Sequence, residues 1–277
     1  MSVSERRIRL DLAYDGTDFA GWQVQPGQRT VQGIVEEALS RLGGGGAIAV
    51  RGAGRTDAGV HARQQVADGW IGSRLDDEGL LSALAAIFPR DLRPRAVRTV
   101  PDDFHSRKMA VSKTYRYTLD RSRWGDPLRS RYVLHHPHPI DRGAVDEALH
   151  GLAGRRDFAG FAGSASVVKT TVRTLAEARY EETERDRGVF TFTADGFLNH
   201  MVRNLVGTLL EIGRGRFVSA RIAEILDSRD RTRAGPTAAA RGLCLDRIVY
   251  RGERSVGAPV GLEDPLCREP HVAGPES

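Results

Sequence analysis

An α+β fold is predicted by three observations. Ile8, Leu10, Leu12 and Tyr14 alternate with less apolar residues, and residues 171–180 and 188–194 alternate in the same way, the period of half-buried strands. Val31, Ile34, Val35, Ala38, Leu39 and Leu42 recur at helical spacing. Both periods occur in each half of the 277 residues, without a sequence repeat between the halves, and the length suits one or two domains.

The elements follow in order. The strand at 8–14 leads to a helix at 31–42, with Thr30 as N-cap because its hydroxyl can accept an otherwise unpaired N–H, and Gly43 to Gly46 stop it. That glycine run lacks the Lys-Ser/Thr of a nucleotide loop and reads as a turn. Residues 47–51 can re-enter the sheet and 64–71 form its next strand. Leu80, Leu81, Leu84, Ile87 and Phe88 mark a second helix closed by Pro89, and 95–100 a further strand, where the first half ends. In the second half, 113–119 reads as a strand. Residues 140–152 read as a helix capped by Asp141, with Ile140 able to staple onto Val145. The segments 171–180 and 188–194 form a hairpin. Leu198, Val202, Leu205, Val206 and Leu209 mark a helix, a short one starts behind Ser219, and 243–250 is a last strand. His135, His136 and His138, interleaved with prolines, read as solvated loop without a metal.

The most informative stretch is Gly52-Ala53-Gly54-Arg55-Thr56-Asp57-Ala58-Gly59-Val60-His61-Ala62. Its three glycines leave the backbone free to approach a ligand closely, and Arg55 stands two positions before Asp57. A carboxylate beside a fixed guanidinium is favoured in its charged form, which suits Asp57 to act as nucleophile or base. Taken alone, an Arg-x-Asp in a glycine-rich loop equally describes a surface turn with a local ion pair.

Composition narrows the class. The formal charge is +5, and residues 1–251 carry 39 basic against 31 acidic residues, a formal +8, since the remainder is acidic. A basic surface favours a polyanionic partner. Two cysteines exclude a disulfide framework. No apolar run spans a membrane and Met1 to Arg9 carry no signal-peptide core, so a cytoplasmic protein is expected. Residues 252–277, with four prolines and little apolar periodicity, read as a disordered tail.

The eleven-residue loop resembles the signature of the TruA-type tRNA pseudouridine synthases. The likeness extends to the segment Tyr14 to Gln23 with Thr30-Val31-Gln32-Gly33, to Phe104-His105-Ser106-Arg107 and Lys113-Thr114-Tyr115-Arg116-Tyr117, to the segment Phe197 to Gly207, and to Gly242-Leu243-Cys244-Leu245. The resemblance implies two related α+β domains, 1–104 and 105–251, with abutting, mostly antiparallel sheets and a basic cleft between them. It implies isomerisation of uridine at positions 38 to 40 of the tRNA anticodon arm, a homodimer, tRNA as partner and no cofactor. Asp57 becomes the catalytic carboxylate, with Arg55 and Arg203 as guanidiniums around it. Tyr115 becomes the platform on which an extruded uracil stacks. Leu243, His61 and Arg107 become substrate contacts, and Tyr117 is left to the core.

On its own helix, Arg203 has Asn199 one turn back and Gly207 one turn on, which gives its head space on one flank. Arg156 stands before Asp157-Phe158 where the family often has histidine. Three other classes stay open on residues alone: a silent tRNA-binding or folding protein, a methyltransferase, and the same chemistry on another RNA. The intact Arg55-Thr56-Asp57 and Tyr115 argue against the first. A convincing glycine-rich donor loop after a strand is missing for the second.

Overall fold

The computed structural model describes residues 4–163, 168–183 and 186–253. Its strands are β1 (Arg6–Tyr14), β2 (Val50–Gly52), β3 (His61–Ile71), β4 (Leu92–Thr99), β5 (Ala110–Asp120), β6 (Leu134–His135), β7 (Gly154–Asp157), β8 (Val172–Thr183), β9 (Arg187–Ala194) and β10 (Leu243–Tyr250). The helices are α1 (Val31–Leu42), α2 (Asp77–Ile87), α3 (Arg142–Leu152), α4 (Met201–Gly213) and α5 (Arg221–Ser228). The chain is therefore α+β, as its periodicity predicts. Among the described residues no helix is long and apolar enough to cross a membrane.

The strands lie on one path, β4-β1-β3-β10-β5-β9-β8-β7, with β2 beside β3 and β6 beside β5. Pairing is antiparallel except where β10 meets β3 and β6 meets β5. The abutting sheets that the resemblance implies are thus joined into one continuous sheet. The join is short, Cys244 facing His61 and Leu245 facing Ala62. It brings the end of the signature loop against the last strand, and β10 then pairs with the strand that carries Tyr115.

Local chemistry accounts for most boundaries. Thr30 Oγ1 accepts the Gly33 N–H at 3.3 Å and Asp141 Oδ1 accepts the Ala144 N–H at 3.0 Å, so both expected caps form. Ile140 and Val145 both abut Gly213 of α4. The core runs continuously through Ile8, Leu10, Leu12, Val35 and Leu39 to Phe190, Phe192, Leu205 and Leu209, all buried.

Three departures have physical causes. β7 (Gly-Arg-Arg-Asp) is an edge strand with exposed arginines, so it lacks the alternation that marks an interior strand. α4 starts at Met201, three residues later than Leu198, because His200 takes a left-handed conformation at φ 56° and turns the chain. His136 is buried, against the expected solvated loop, and burial, then the nearby His138 and Arg121, push its imidazole down to about 4. Beyond Glu253, the expected tail and Cys267 lie outside the described residues.

Candidate active site

The loop between β2 and β3 is fixed carbonyl by carbonyl. Lys113 Nζ on β5 donates to Ala53 O at 2.7 Å, Gln65 Nε2 on β3 to Gly54 O at 2.8 Å, and the Trp22 N–H to Thr56 O at 3.0 Å. The Thr56 hydroxyl is buried against Tyr14 Oη at 2.8 Å. Backbone groups so satisfied have little freedom to rearrange, which suits a rigid mounting for a reacting side chain. Gly21 explains the close approach of the 14–23 segment: at φ +95° it lies against Asp57, and a Cβ there would fall 2.7 Å from Thr56 O.

Asp57 projects from this loop with its side chain 23 % exposed. Its Oδ2 is 3.1 Å from Arg203 Nη1 and 3.4 Å from His200 Nε2, and its Oδ1 accepts from Asn199 Nδ2 at 3.3 Å. All three partners belong to the turn before α4 and its first turn. The guanidinium is held in turn, Arg203 Nε donating to Ala238 O at 2.8 Å while the Ala238 N–H donates to Arg203 O at 3.1 Å.

Gly207, one turn further along α4, makes this possible. A Cβ on it would sit 1.7 Å from Pro236 O, so the segment 235–238 lies directly on the helix. The space beside Gly207 therefore belongs to that backbone and not to the head of Arg203, correcting the flank expected from the sequence. Asn204, fully buried, ties the same segment down by accepting from Arg231 and Thr237 while donating to Phe161 O.

The sequence-based residues separate clearly. Asp57 and Arg203 meet, although 146 positions apart. Tyr115 is buried below them, its ring 5.0 Å from Phe197 and edge-on to it. Burial pushes its hydroxyl up, and the negative charge of Asp57 adds to the effect. Leu243 lines the same space. Tyr117 is wholly buried and donates to Ala239 O at 2.8 Å, a core residue as expected.

Two assignments change. Arg55 is exposed and makes no ion pair among the described residues, so the counter-charge of Asp57 is Arg203. Anchoring Thr56 on both sides leaves its neighbour Arg55 at the rim. His61 is buried and does not line the cleft. Its Nδ1 accepts the Gly16 N–H at 3.0 Å, so Nε2 carries the proton and is shared between Arg131 O at 3.0 Å and Arg241 O at 3.1 Å. Burial lowers its tendency to take a second proton and outweighs the pull of Asp15. It is a joint between three segments, tied to Gly16, Arg131 and Arg241.

Residues missed by sequence reasoning are Asn199, His200 and Phe197. They stand in the quoted 197–207 segment, but the apolar stripe of the helix drew attention away from the turn that precedes it.

Together these side chains border an open cleft of about 900 Å³. Among the described residues lining it, Asp57 is the one carboxylate, while Arg55, Arg107, Lys108 and Lys113 supply positive charge and Arg51 is paired with Asp68 at 2.7 Å. Such a site can place one fixed anion against an electron-poor ring while its walls accept a polyanion.

Comparison with known proteins identifies the family. The family model described as tRNA pseudouridine synthase matches residues 12–107 and 148–251. The tRNA pseudouridine synthase A of Latilactobacillus sakei is 43 % identical over 248 residues, covering 89 % of this chain and 99 % of that protein. Those of Streptococcus mutans and of one Streptococcus pneumoniae strain are 44 % identical over 245 residues, covering 88 % of this chain and 98 % of each relative.

Proposed function

The chain belongs to the tRNA pseudouridine synthase family and isomerises uridine to pseudouridine in tRNA, and we propose that it does so at positions 38 to 40 of the anticodon arm with Asp57 as the reacting carboxylate. The observation that carries the assignment of Asp57 is its place as the one carboxylate among the described residues bordering the cleft, held by Arg203, Asn199 and His200.

The reaction breaks the N1–C1′ bond, turns the base and joins C5 to C1′. The C5 proton leaves to solvent and N1 takes one up, so no electron acceptor or group donor enters the balance. Arg203 keeps Asp57 oriented through a charge-assisted bond. Tyr115, packed on Phe197, is the face on which the uracil rests once out of its stack, and Leu243 is the apolar contact beside it. Arg55 and Arg107, exposed and without ion pairs among the described residues, are available to backbone phosphates. Recognition by shape and phosphate contact suits a stem-loop substrate. The family resemblance supports a cytoplasmic homodimer and a cleft formed between halves that divide near residue 104.

The test is to incubate the protein with unmodified tRNA and map pseudouridine by carbodiimide adduct formation and primer extension. New stops confined to positions 38 to 40 are expected. Pseudouridine elsewhere in the tRNA, with none in the anticodon arm, would overturn the positional assignment.

A further inference from the structure

The sheet face that carries Tyr115 continues into a row of cations that lies outside the reacting groups around Asp57. Lys113 lies two residues before Tyr115 in β5 and so on the same face. It is paired with Ala194 of β9, and Ala194 with Leu175 of β8, two residues from Arg173. Opposed residues share a face, so Lys113 and Arg173 stand on one side of the sheet. Arg107 arrives from the segment before β5 and lines the cleft together with Lys113.

Among the described residues none of the three makes an ion pair within 4 Å. Lys113 Nζ donates to Ala53 O at 2.7 Å and retains two further hydrogens. Arg173 Nη1 donates to the carbonyls of Thr170 at 2.9 Å and Val172 at 2.7 Å. Arg107 is exposed with no ion pair among the described residues. Asp195 is the carboxylate that faces them, and its Oδ1 already accepts the Thr174 N–H at 3.0 Å. Burial, then the charges of Arg107 and Arg173, push the Lys113 ammonium down to about 8, with Asp195 only partly opposing.

We propose that Lys113, Arg107 and Arg173 form a subsite for one RNA phosphodiester along the sheet from Asp57. The assignment rests on reading the cleft as an RNA site. A phosphate placed there supplies the missing negative charge and favours the protonated lysine, so RNA binding draws in a proton. The free protein loses that proton near pH 8, and the complex holds it to higher pH. Affinity is therefore level below pH 8 and falls above it.

The experiment measures affinity for tRNA from pH 6.5 to 9 and across a salt series for the wild-type protein and for Lys113→Arg, Lys113→Met and Arg173→Gln, with isomerisation assayed in parallel. The wild-type affinity is expected to fall above pH 8, and Lys113→Arg to abolish that fall. Lys113→Met should bind roughly tenfold more weakly at pH 7, with a salt slope shallower by about 0.7 to 0.9. Arg173→Gln, which removes a repelling neighbour without touching the Ala53 contact, should move the fall to higher pH. If Lys113→Met binds as tightly as an active wild-type protein, or Lys113→Arg keeps the fall, the subsite is wrong while the function stands. If the wild-type protein neither binds nor isomerises tRNA, both fail.

Discussion

Replacing Gly207 by alanine sets two effects of opposite sign against each other. Within a helix, alanine is favoured over glycine by about 1 kcal/mol. At this position, however, the new Cβ would stand 1.7 Å from Pro236 O, a backbone atom that no rotamer change can move aside. The segment must retreat by roughly 2 Å to reach ordinary contact. Three hydrogen bonds are then strained or lost: Gly235 N–H to Thr208 Oγ1 at 2.9 Å, Ala238 N–H to Arg203 O at 3.1 Å, and Arg203 Nε to Ala238 O at 2.8 Å. At about 1 kcal/mol each, they outweigh the helix gain and leave Gly207→Ala about 2 kcal/mol less stable. For a chain of this size the melting temperature should drop by about 4 to 8 °C. Because Arg203 loses its tether, single-turnover isomerisation at 25 °C should fall by more than tenfold while the protein is still folded. Thermal melting and tritium release from tRNA labelled at uridine C5 measure the two effects separately. A variant that melts at or above the wild-type temperature would refute the reading of Gly207 as a contact glycine.

Arg203→Gln leaves Asp57 with Asn199 and His200 alone. The carboxylate is 23 % exposed and can be hydrated, so the stability cost is about 1 to 2 kcal/mol, whereas the rate constant for isomerisation should fall by at least two orders of magnitude in single-turnover assays. His61→Gln should lower the melting temperature with little change in the KM for tRNA, and a large rise in KM at unchanged stability would restore His61 to the substrate site. His136 sets an acid limit on stability. Its folded form takes up a proton only near pH 4, whereas the unfolded chain does so near 6.5, so stability is whole above pH 6.5 and is lost as pH falls towards 4. The full difference is worth up to about 3 kcal/mol. His136→Phe should flatten that part of the pH–stability curve, and an unchanged curve would rule the histidine out.

The apolar spacing of α1 and α3 and the alternation at β10 report directly which residues meet the core. β1 and β9 alternate in sequence yet are buried on nearly every residue, because both of their faces are covered, so there the period identifies the strand but not its buried side. β6 and β7 escape because one is two residues long and the other is an edge strand of exposed charge. The site divides along the same line. Asp57 stands out because the whole eleven-residue loop around it resembles a family signature; its arginine, carboxylate and glycines alone would also describe a surface turn. Its partner Arg203 is reached only through the family resemblance, because sequence proximity favours Arg55 while the tertiary fold delivers Arg203 from α4. Gly207 was misread for a related reason. Its meaning lies in a carbonyl from a segment 29 positions further on, which no helical pattern encodes. His61 shows the converse, a motif histidine whose two ring nitrogens are both occupied by backbone groups.

The central claim is that Asp57 is the reacting group, and the most direct test is Asp57→Asn, which keeps the size of the side chain and its contact with Arg203 but removes the charge. Tritium release from tRNA labelled at uridine C5 should be undetectable for this variant under single-turnover conditions, with tRNA affinity and melting temperature close to wild type. Release within tenfold of the wild-type rate would contradict the account and place the chemistry on another residue.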